Sequence, residues 1–321
     1  MAITWRPATW SDIEPCLAIQ SRGRGDALPD LKSALGLWKR LFHDPFFLSA
    51  VVESTPPIQA HRLIGFGSAV LVNSNFADAE VANPRPDITS RIMASLHTGQ
   101  SALATWDEVA QANAYNGVHV VILHNVWRDD ILRPEERQDV KVAFASSLAE
   151  VLAGFRICRI LVETTNQASE EFHRISPEYQ VIAEFPSIGR VIHEMTRELA
   201  TALPGSLGNL IFKFHPPILR LRDSDQQLLL AALQSATDNE LTVELGITFS
   251  AVKARWRSTF ARIGEVMPDL VMDAKDREGR GKQKRHRVLA YLRTHMEELR
   301  PYDWKATLRR TREQSVTEIQ F

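Results

Sequence analysis

The chain has 321 residues, 44% of them hydrophobic and 24% charged, an ordinary composition for folded globular domains and length enough for two sizeable cores. No apolar run approaches the ~18 residues of a membrane helix, and the two cysteines, Cys16 and Cys158, lack metal-ligand spacing, which excludes a disulfide framework or a zinc site. The net charge of -1 hides an asymmetry: residues 218 to 321 hold 19 Lys+Arg against 15 Asp+Glu, and residues 1 to 217 hold 19 against 24.

The opening MAITWRPATW lacks the basic and then apolar signature of a signal peptide, so a cytoplasmic location without a membrane partner is expected. Residues 2 to 6 read as a strand, and Ser11-Asp12-Ile13-Glu14 as the cap of a first helix. A second helical pattern covers 31 to 42, strand-like runs follow at 47 to 53 and 62 to 72, and a helical insertion covers 87 to 114. Then come strand 118 to 127, helix 137 to 153, strand 157 to 163, helix 168 to 175, and strands 179 to 185 and 190 to 195. This order predicts an α/β domain over residues 1 to 200, a mixed sheet with covering helices.

The opening ITWRPATWSDIEPCLAI and the closing NQASEEFHRISPEYQVIAEF make this region similar to the acetyl-CoA-dependent GNAT N-acyltransferase fold. Asn166, Ser169 and Phe172 match the family's Asn-x-x-Ala-x-x-Leu-Tyr signature, and His173 stands where the family often has a tyrosine general acid. The family seats the coenzyme diphosphate on the backbone amides of a glycine-containing turn at a helix start. Here the sequence is Arg133-Pro134-Glu135-Glu136-Arg137-Gln138-Asp139, with no glycine and three carboxylates. Bulk and repulsion both oppose ordinary coenzyme A binding. The expectation is therefore a catalytically lapsed GNAT-like scaffold without a cofactor, serving as a sensor for a small-molecule or protein effector or as a dimerisation platform.

Glu163, His124 and His173 are the candidates to line the former cleft, and a histidine titrating near neutrality serves as an acid or a sensor. His193-Glu194 lacks the second histidine of a metalloprotease helix, and no phosphate-binding loop or glycine-rich dinucleotide motif occurs. Trp5, Trp10, Trp38, Trp106 and Trp127 suggest an aromatic pocket or, more simply, core.

Pro204-Gly205-Ser206-Leu207-Gly208 and Pro216-Pro217 mark residues 201 to 217 as a linker. Beyond it, Thr237-Asp238-Asn239-Glu240 is a capping box that starts a helix, Leu241 and Leu245 lie at i, i+4, and Gly246 ends it. Ile247 is the apolar plug of the turn and Thr248 caps the next helix. There Val252, Trp256, Thr259 or Phe260, and Ile263 form an inward stripe, which sends Lys253, Ala254 and Arg257 outward. A small residue between two cations lets such a helix approach base edges in the major groove, while Arg255 and Arg262 sit where phosphate contacts would position it.

TDNELTVELGITFSAVKARW resembles the LuxR-type helix-turn-helix pattern TNKEIAxxLxISxxTVKxH, with Thr237, Glu240, Leu245, Ile247, Val252 and Lys253 at matching positions. The departures are Ser235, Arg255, Thr259, Arg222 and Asp225. The resemblance implies an all-α DNA-binding domain over residues 218 to 300, with Lys253, Ala254 and Arg257 at the bases and double-stranded DNA as partner. A basic segment within 273 to 287 is placed to follow a phosphate backbone or to serve as a solvated linker. An amphipathic helix over 287 to 298, with Val288, Leu292 and the adjoining Leu299, would be left uncovered, and a homodimer on paired half-sites is expected, through that helix or through the edge of the N-terminal sheet; residues 301 to 321 form a charged tail. The leading expectation is a transcriptional regulator with a GNAT-like effector domain. The alternative is an active acetyl-CoA-dependent N-acyltransferase with an accessory helical domain.

Overall fold

A computed structural model describes residues 2–24, 31–98, 101–234, 237–272, 280–305 and 307. The chain divides into two compact units, one made of residues 1–108, 117–152 and 157–213, the other of 109–116, 153–156 and 214–321.

The elements up to residue 213 are β1 (Ala2–Pro7), α1 (Ile13–Arg24), α2 (Leu31–Phe42), β2 (Phe47–Ile58), β3 (His61–Val72), α3 (Ser74–Ala82), α4 (Ile88–Thr98) and α5 (Trp106–Ala114). Then come β4 (Val118–Trp127), α6 (Pro134–Leu152), β5 (Ile157–Thr165), α7 (Asn166–Ile175), β6 (Gln180–Phe185), β7 (Arg190–Thr196), α8 (Arg197–Ala202) and α9 (Leu207–Ile211). One seven-stranded sheet runs in the order β1-β2-β3-β4-β5-β7-β6. All neighbours pair antiparallel except β4 and β5, which are parallel.

Both faces of this sheet are covered, which is why its central strands read as nearly unbroken apolar runs. Side chains alternate along a strand, so neighbouring Val51 and Val52 enter different cores. Val51 and Phe66 pack with Ile13, Leu17 and Trp38 of α1 and α2, and Val70, Val121, Leu123 and Leu161 pack with Ile88 and Ile92 of α4. On the other face, Val52 and Ile64 meet Val140, Ala143 and Phe144 of α6. Gly65 and Gly67 make that approach possible: a Cβ would lie 2.9 Å from the Phe144 ring at the first and 3.0 Å at the second.

The sequence reading missed α3 and α8, and the stretch taken as a linker contains α9. Each of the three begins at a side-chain cap: Asn73, Thr196 and Ser206 accept from the backbone N–H three residues on.

The second unit holds α10 (Asp223–Gln234), α11 (Asp238–Leu245), α12 (Phe249–Val266), α13 (Pro268–Val271) and α14 (Arg280–Leu292), followed by a 3-10 turn at Met296–Leu299. Its core joins Leu219, Leu228, Leu241, Val252, Trp256 and Ile263 to Val288, Leu292 and Leu299. The apolar stripe expected to lie open for a second copy is thus buried by its own chain. The helix also differs from the expected 287 to 298: it starts at Arg280 and ends at Leu292. After it, His295 N–H closes on the Leu292 carbonyl at 3.2 Å, a turn that breaks the helix before Leu299. Residues 273–279 of the basic segment lie outside the described residues, as do Ser235 and the tail beyond Thr307.

Residues 109–116 and 153–156 belong here through hydrogen bonds that sequence pattern does not foreshadow. Asn113 Nδ2 donates to the Pro301 carbonyl at 2.8 Å, its Oδ1 accepts from Arg156 N at 3.0 Å, and Arg300 Nε donates to the Ala153 carbonyl at 2.9 Å.

Candidate active-site fork and the exposed face of α12

In the middle of the sheet, β4 and β5 share a register only from Val118↔Ile157 to Ile122↔Val162. Beyond that, β4 continues to Trp127 beside β3, and β5 continues to Thr165 beside β7. Among the described residues no strand pairing joins the two prongs, so the sheet opens as a fork. The cause is local: Ser68 pairs with His124 and Ala69 with Ile122, which leaves Leu123 as an extra residue that bends β4. Strand edges that part in this way can take up an extended, amide-bearing ligand by strand addition.

The first turn of α4 ties the prongs together on one face. Glu163 on β5 accepts from Asp87 N at 2.8 Å and Ile88 N at 3.0 Å, while the Thr89 hydroxyl donates to the Leu123 carbonyl of β4 at 3.1 Å. Glu163 therefore acts as a helix cap, satisfying amides that would otherwise lack partners. On the same face His124 is sealed: its Nδ1 shares a 2.8 Å hydrogen bond with Ser68 Oγ, and Trp38 and Phe66 lie against its ring.

The opposite face carries Thr164, since neighbouring strand residues alternate. Thr164 Oγ1 lies 2.8 Å from His193 Nε2, and Ser169 Oγ of α7 lies 3.4 Å from the same nitrogen. His193 is fully buried, its Nδ1 has no hydrogen-bond partner, and burial, followed by the neighbouring His173, pushes its pKa down to about 4. It is a neutral ring at pH 7. Half-buried His173 stands edge-on to it with centroids 5.0 Å apart, and Lys141 of α6 pairs with Glu171 of α7 beside them.

Of the three residues proposed from sequence to line a common cleft, only His173 is left available, because Glu163 caps a helix and His124 is enclosed. Sequence reasoning passed over Thr164 and Thr89 altogether, and noticed Ser169 only as a position of the family signature. His193 drew notice only as an incomplete metal motif, although a histidine inside the apolar run RVIHEM was the available signal. Among the described residues no group of three or more His, Cys, Asp and Glu is placed to hold a metal. The tryptophans do not share one pocket: Trp38 packs on Phe47 and Phe66, Trp106 on Phe46 and Trp127 on Phe144.

α6 begins just after the fork, where the GNAT resemblance puts a coenzyme diphosphate. Its first turn is occupied by its own carboxylate. Glu136 is buried and accepts from Arg133 N at 2.9 Å and from the Arg133 guanidinium at 2.8 and 2.6 Å. These bonds hold its carboxyl below the usual range. Glu135 and Asp139 are exposed on the same turn and the next. These residues do not fit a diphosphate.

In the second unit, the Thr237 and Glu240 capping box forms as read, with bonds of 3.2 and 2.8 Å, and Gly246 leaves α11 in the left-handed conformation at φ 61. Thr248 then caps α12. Val252, Trp256, Thr259 and Ile263 are buried, and Lys253, Ala254 and Arg257 are exposed. Arg255 is half-buried. Arg262 is already engaged: its Nε lies 2.9 Å from Asp225 of α10, which also accepts from the Thr259 hydroxyl at 2.8 Å. Asp225 and Thr259, two departures from the family pattern, thus answer one another.

The chain matches no protein-family profile and no curated protein sequence. Among solved structures it is similar to FeeM, an N-acyl amino acid synthase from uncultured soil microbes, at 8% identity over 62% of this chain and 94% of that one, with a TM-score of 0.38. It is also similar to a variant of spermidine N-acetyltransferase from Vibrio cholerae, at 8% identity over 63% and 98% with a TM-score of 0.37. A third, Naa20 from Chaetomium thermophilum in complex with a bisubstrate analogue, gives 14% identity over 63% and 90% with a TM-score of 0.34. The first unit is a mixed sheet with covering helices, as the order of its elements in the sequence suggests. The expectation of a lapsed, non-enzymatic domain is corrected here: these similar structures are by name an N-acyl amino acid synthase and an N-acetyltransferase. Their substrates remain their own. No described helix is long and apolar enough to cross a membrane.

Proposed function

We propose that the first unit is an N-acyltransferase that moves an acyl group from a thioester to an amine. The parting of β4 and β5 after Ile122↔Val162 carries this reading, because it offers an extended donor arm two strand edges within one rigid sheet. In the reaction the amine nitrogen bonds to the acyl carbon, the carbon–sulfur bond breaks, and the proton lost by the amine balances the one gained by the departing thiolate. His173 is the group assigned to protonate the sulfur, from its position on α7 next to neutral His193. The test is mass-spectrometric detection of N-acylated products after the full chain is incubated with an acyl thioester and a panel of amines. Product that depends on protein and falls at least ~10-fold in His173→Ala supports the assignment. Absence of product across the panel overturns the reading.

A second reading concerns the other unit and rests on the exposed trio Lys253, Ala254 and Arg257 on α12. It assigns this helix to the major groove of duplex DNA, with the two cations at guanine edges. The reading holds if the full chain retards duplexes in a gel, prefers selected sites over random ones, and loses that preference in Lys253→Ala and Arg257→Ala. Equal binding to all sequences by wild type and variants would refute it.

A further inference from the structure

We infer that this acyltransferase selects its donor by the pantetheine-type thioester arm alone, and that a nucleoside diphosphate contributes nothing to recognition. The inference rests on the acyltransferase reading and goes beyond it by naming which part of the donor is gripped.

Several amides of the loop from the end of β4 to the start of α6 are already bonded within the chain. Arg128 N donates to the Ile64 carbonyl at 2.8 Å, Asp129 N to Trp127 at 3.0 Å, Ile131 N to Arg128 at 3.2 Å and Arg133 N to Glu136 at 2.9 Å. Pro134 has no N–H to give. Each arginine of the loop is also paired: Arg128 with Asp130 at 2.8 Å, Arg137 with Asp129 at 2.9 Å, and Arg133 with Glu136. Glu135 adds another carboxylate, so residues 128 to 137 hold four acids against three arginines. A helix start attracts phosphate when its amides are unsatisfied and its field is positive. Here the field is not positive, and Glu136 has folded back on the helix start, where it occupies the seat that a diphosphate would need. The fork lies outside this loop and keeps what an uncharged, amide-bearing arm requires: parted strand edges, with Thr164 on one prong.

Group transfer from such a donor is balanced without the nucleotide. The amine displaces the thiol of the arm, one N–C bond forms as one C–S bond breaks, and the amine's proton ends on the thiol. The diphosphate is a handle and takes no part in the bond changes.

The experiment measures equilibrium binding of reduced pantetheine and reduced coenzyme A to the full chain, at low and high salt. The expected result is dissociation constants within about threefold of each other, with coenzyme A binding nearly unchanged from ~50 to ~500 mM salt. Glu136→Gln, which releases Arg133 while keeping the side chain's shape, should tighten coenzyme A by about three- to tenfold and leave pantetheine unmoved. Coenzyme A binding ~10-fold or more tightly than pantetheine in the wild type, or a Glu136→Gln variant with unchanged coenzyme A affinity, overturns the proposal. Binding of neither compound overturns the acyltransferase reading itself, an outcome distinct from a preference for the nucleotide.

Discussion

The N-terminal stretches of α6 and α12 treat charge in opposite ways. At α6, Glu136 folds back on Arg133 and the nearby arginines are each paired with an acid. At α12, Thr248 supplies a neutral cap, Lys253 rests over the Phe249 ring at 4.4 Å, and Arg257 reaches the Lys253 carbonyl at 3.4 Å. No ion pair involves Lys253 or Arg257 among the described residues. A count of cations would rate both turns as basic, yet only the second presents charge to an outside anion. What decides anion binding is whether the chain has already neutralised its own donors.

The strongest way to break this contrast is within the helical unit, at a pair that has been neutralised. Asp225→Ala would leave Arg262, with its side chain 20% exposed, beside a buried vacancy and Thr259 without its acceptor. A loss of about 3 to 5 kcal/mol in denaturant unfolding, seen through Trp256 fluorescence, is the expected outcome. If Asp225→Ala unfolds like wild type while Arg262→Ala weakens DNA binding, Arg262 belongs with the phosphate contacts, as its sequence position suggests.

The next largest effect belongs to the first unit and depends on pH. His193 has an ordinary value near 6.5 when unfolded and about 4 when folded, so the unfolded chain takes up its proton first. The stability it contributes is complete above pH 6.5 and drains away as pH falls toward 4, by at most about 3 kcal/mol. Thr164, Ser169, Phe172 and His173 are the groups facing it. Melting curves of wild type should steepen against pH in this window, and His193→Gln should flatten them; identical slopes would remove the buried neutral ring from the account.

The exposed side of the contrast is sharpened by Lys253→Ala and Arg257→Ala, each expected to cost about 1 to 3 kcal/mol on a preferred duplex with little change in unfolding. A drop in stability of the same size would mean these cations serve the fold. Smallest is Glu163→Ala, which deletes the cap on α4 and should cost about 1 kcal/mol of stability. Hydrogen exchange at Asp87 and Ile88 should rise selectively, and unchanged protection there would show that the α4 turn does not depend on β5.

The helical unit was the more legible because its determinants lie within a few residues of each other. Thr237 with Glu240, the left-handed Gly246 and the stripe from Val252 to Ile263 all act within about three helical turns. The pairing of Arg262 with Asp225 spans 37 residues and left no local trace. In the first unit, the strand from Val118 to Trp127 was evident from its apolar run, whereas the fork arises from one extra residue, Leu123, in register with a strand more than fifty residues earlier. Glu163 invited a catalytic reading because a carboxylate on a central strand looks available. Its partners, Asp87 and Ile88, come from an insertion whose docking site no sequence periodicity reports.

Steady-state thiol release from acetyl-pantetheine, with the full chain and amines at saturating concentration, tests the assignment of acyl transfer to the fork most directly. The account predicts amine-dependent, saturable release that drops by ~10-fold or more when bulk is placed on the His193 face of the fork by Thr164→Trp, with folding checked by unfolding curves. Release that needs no amine, or that proceeds equally well in Thr164→Trp, would contradict it.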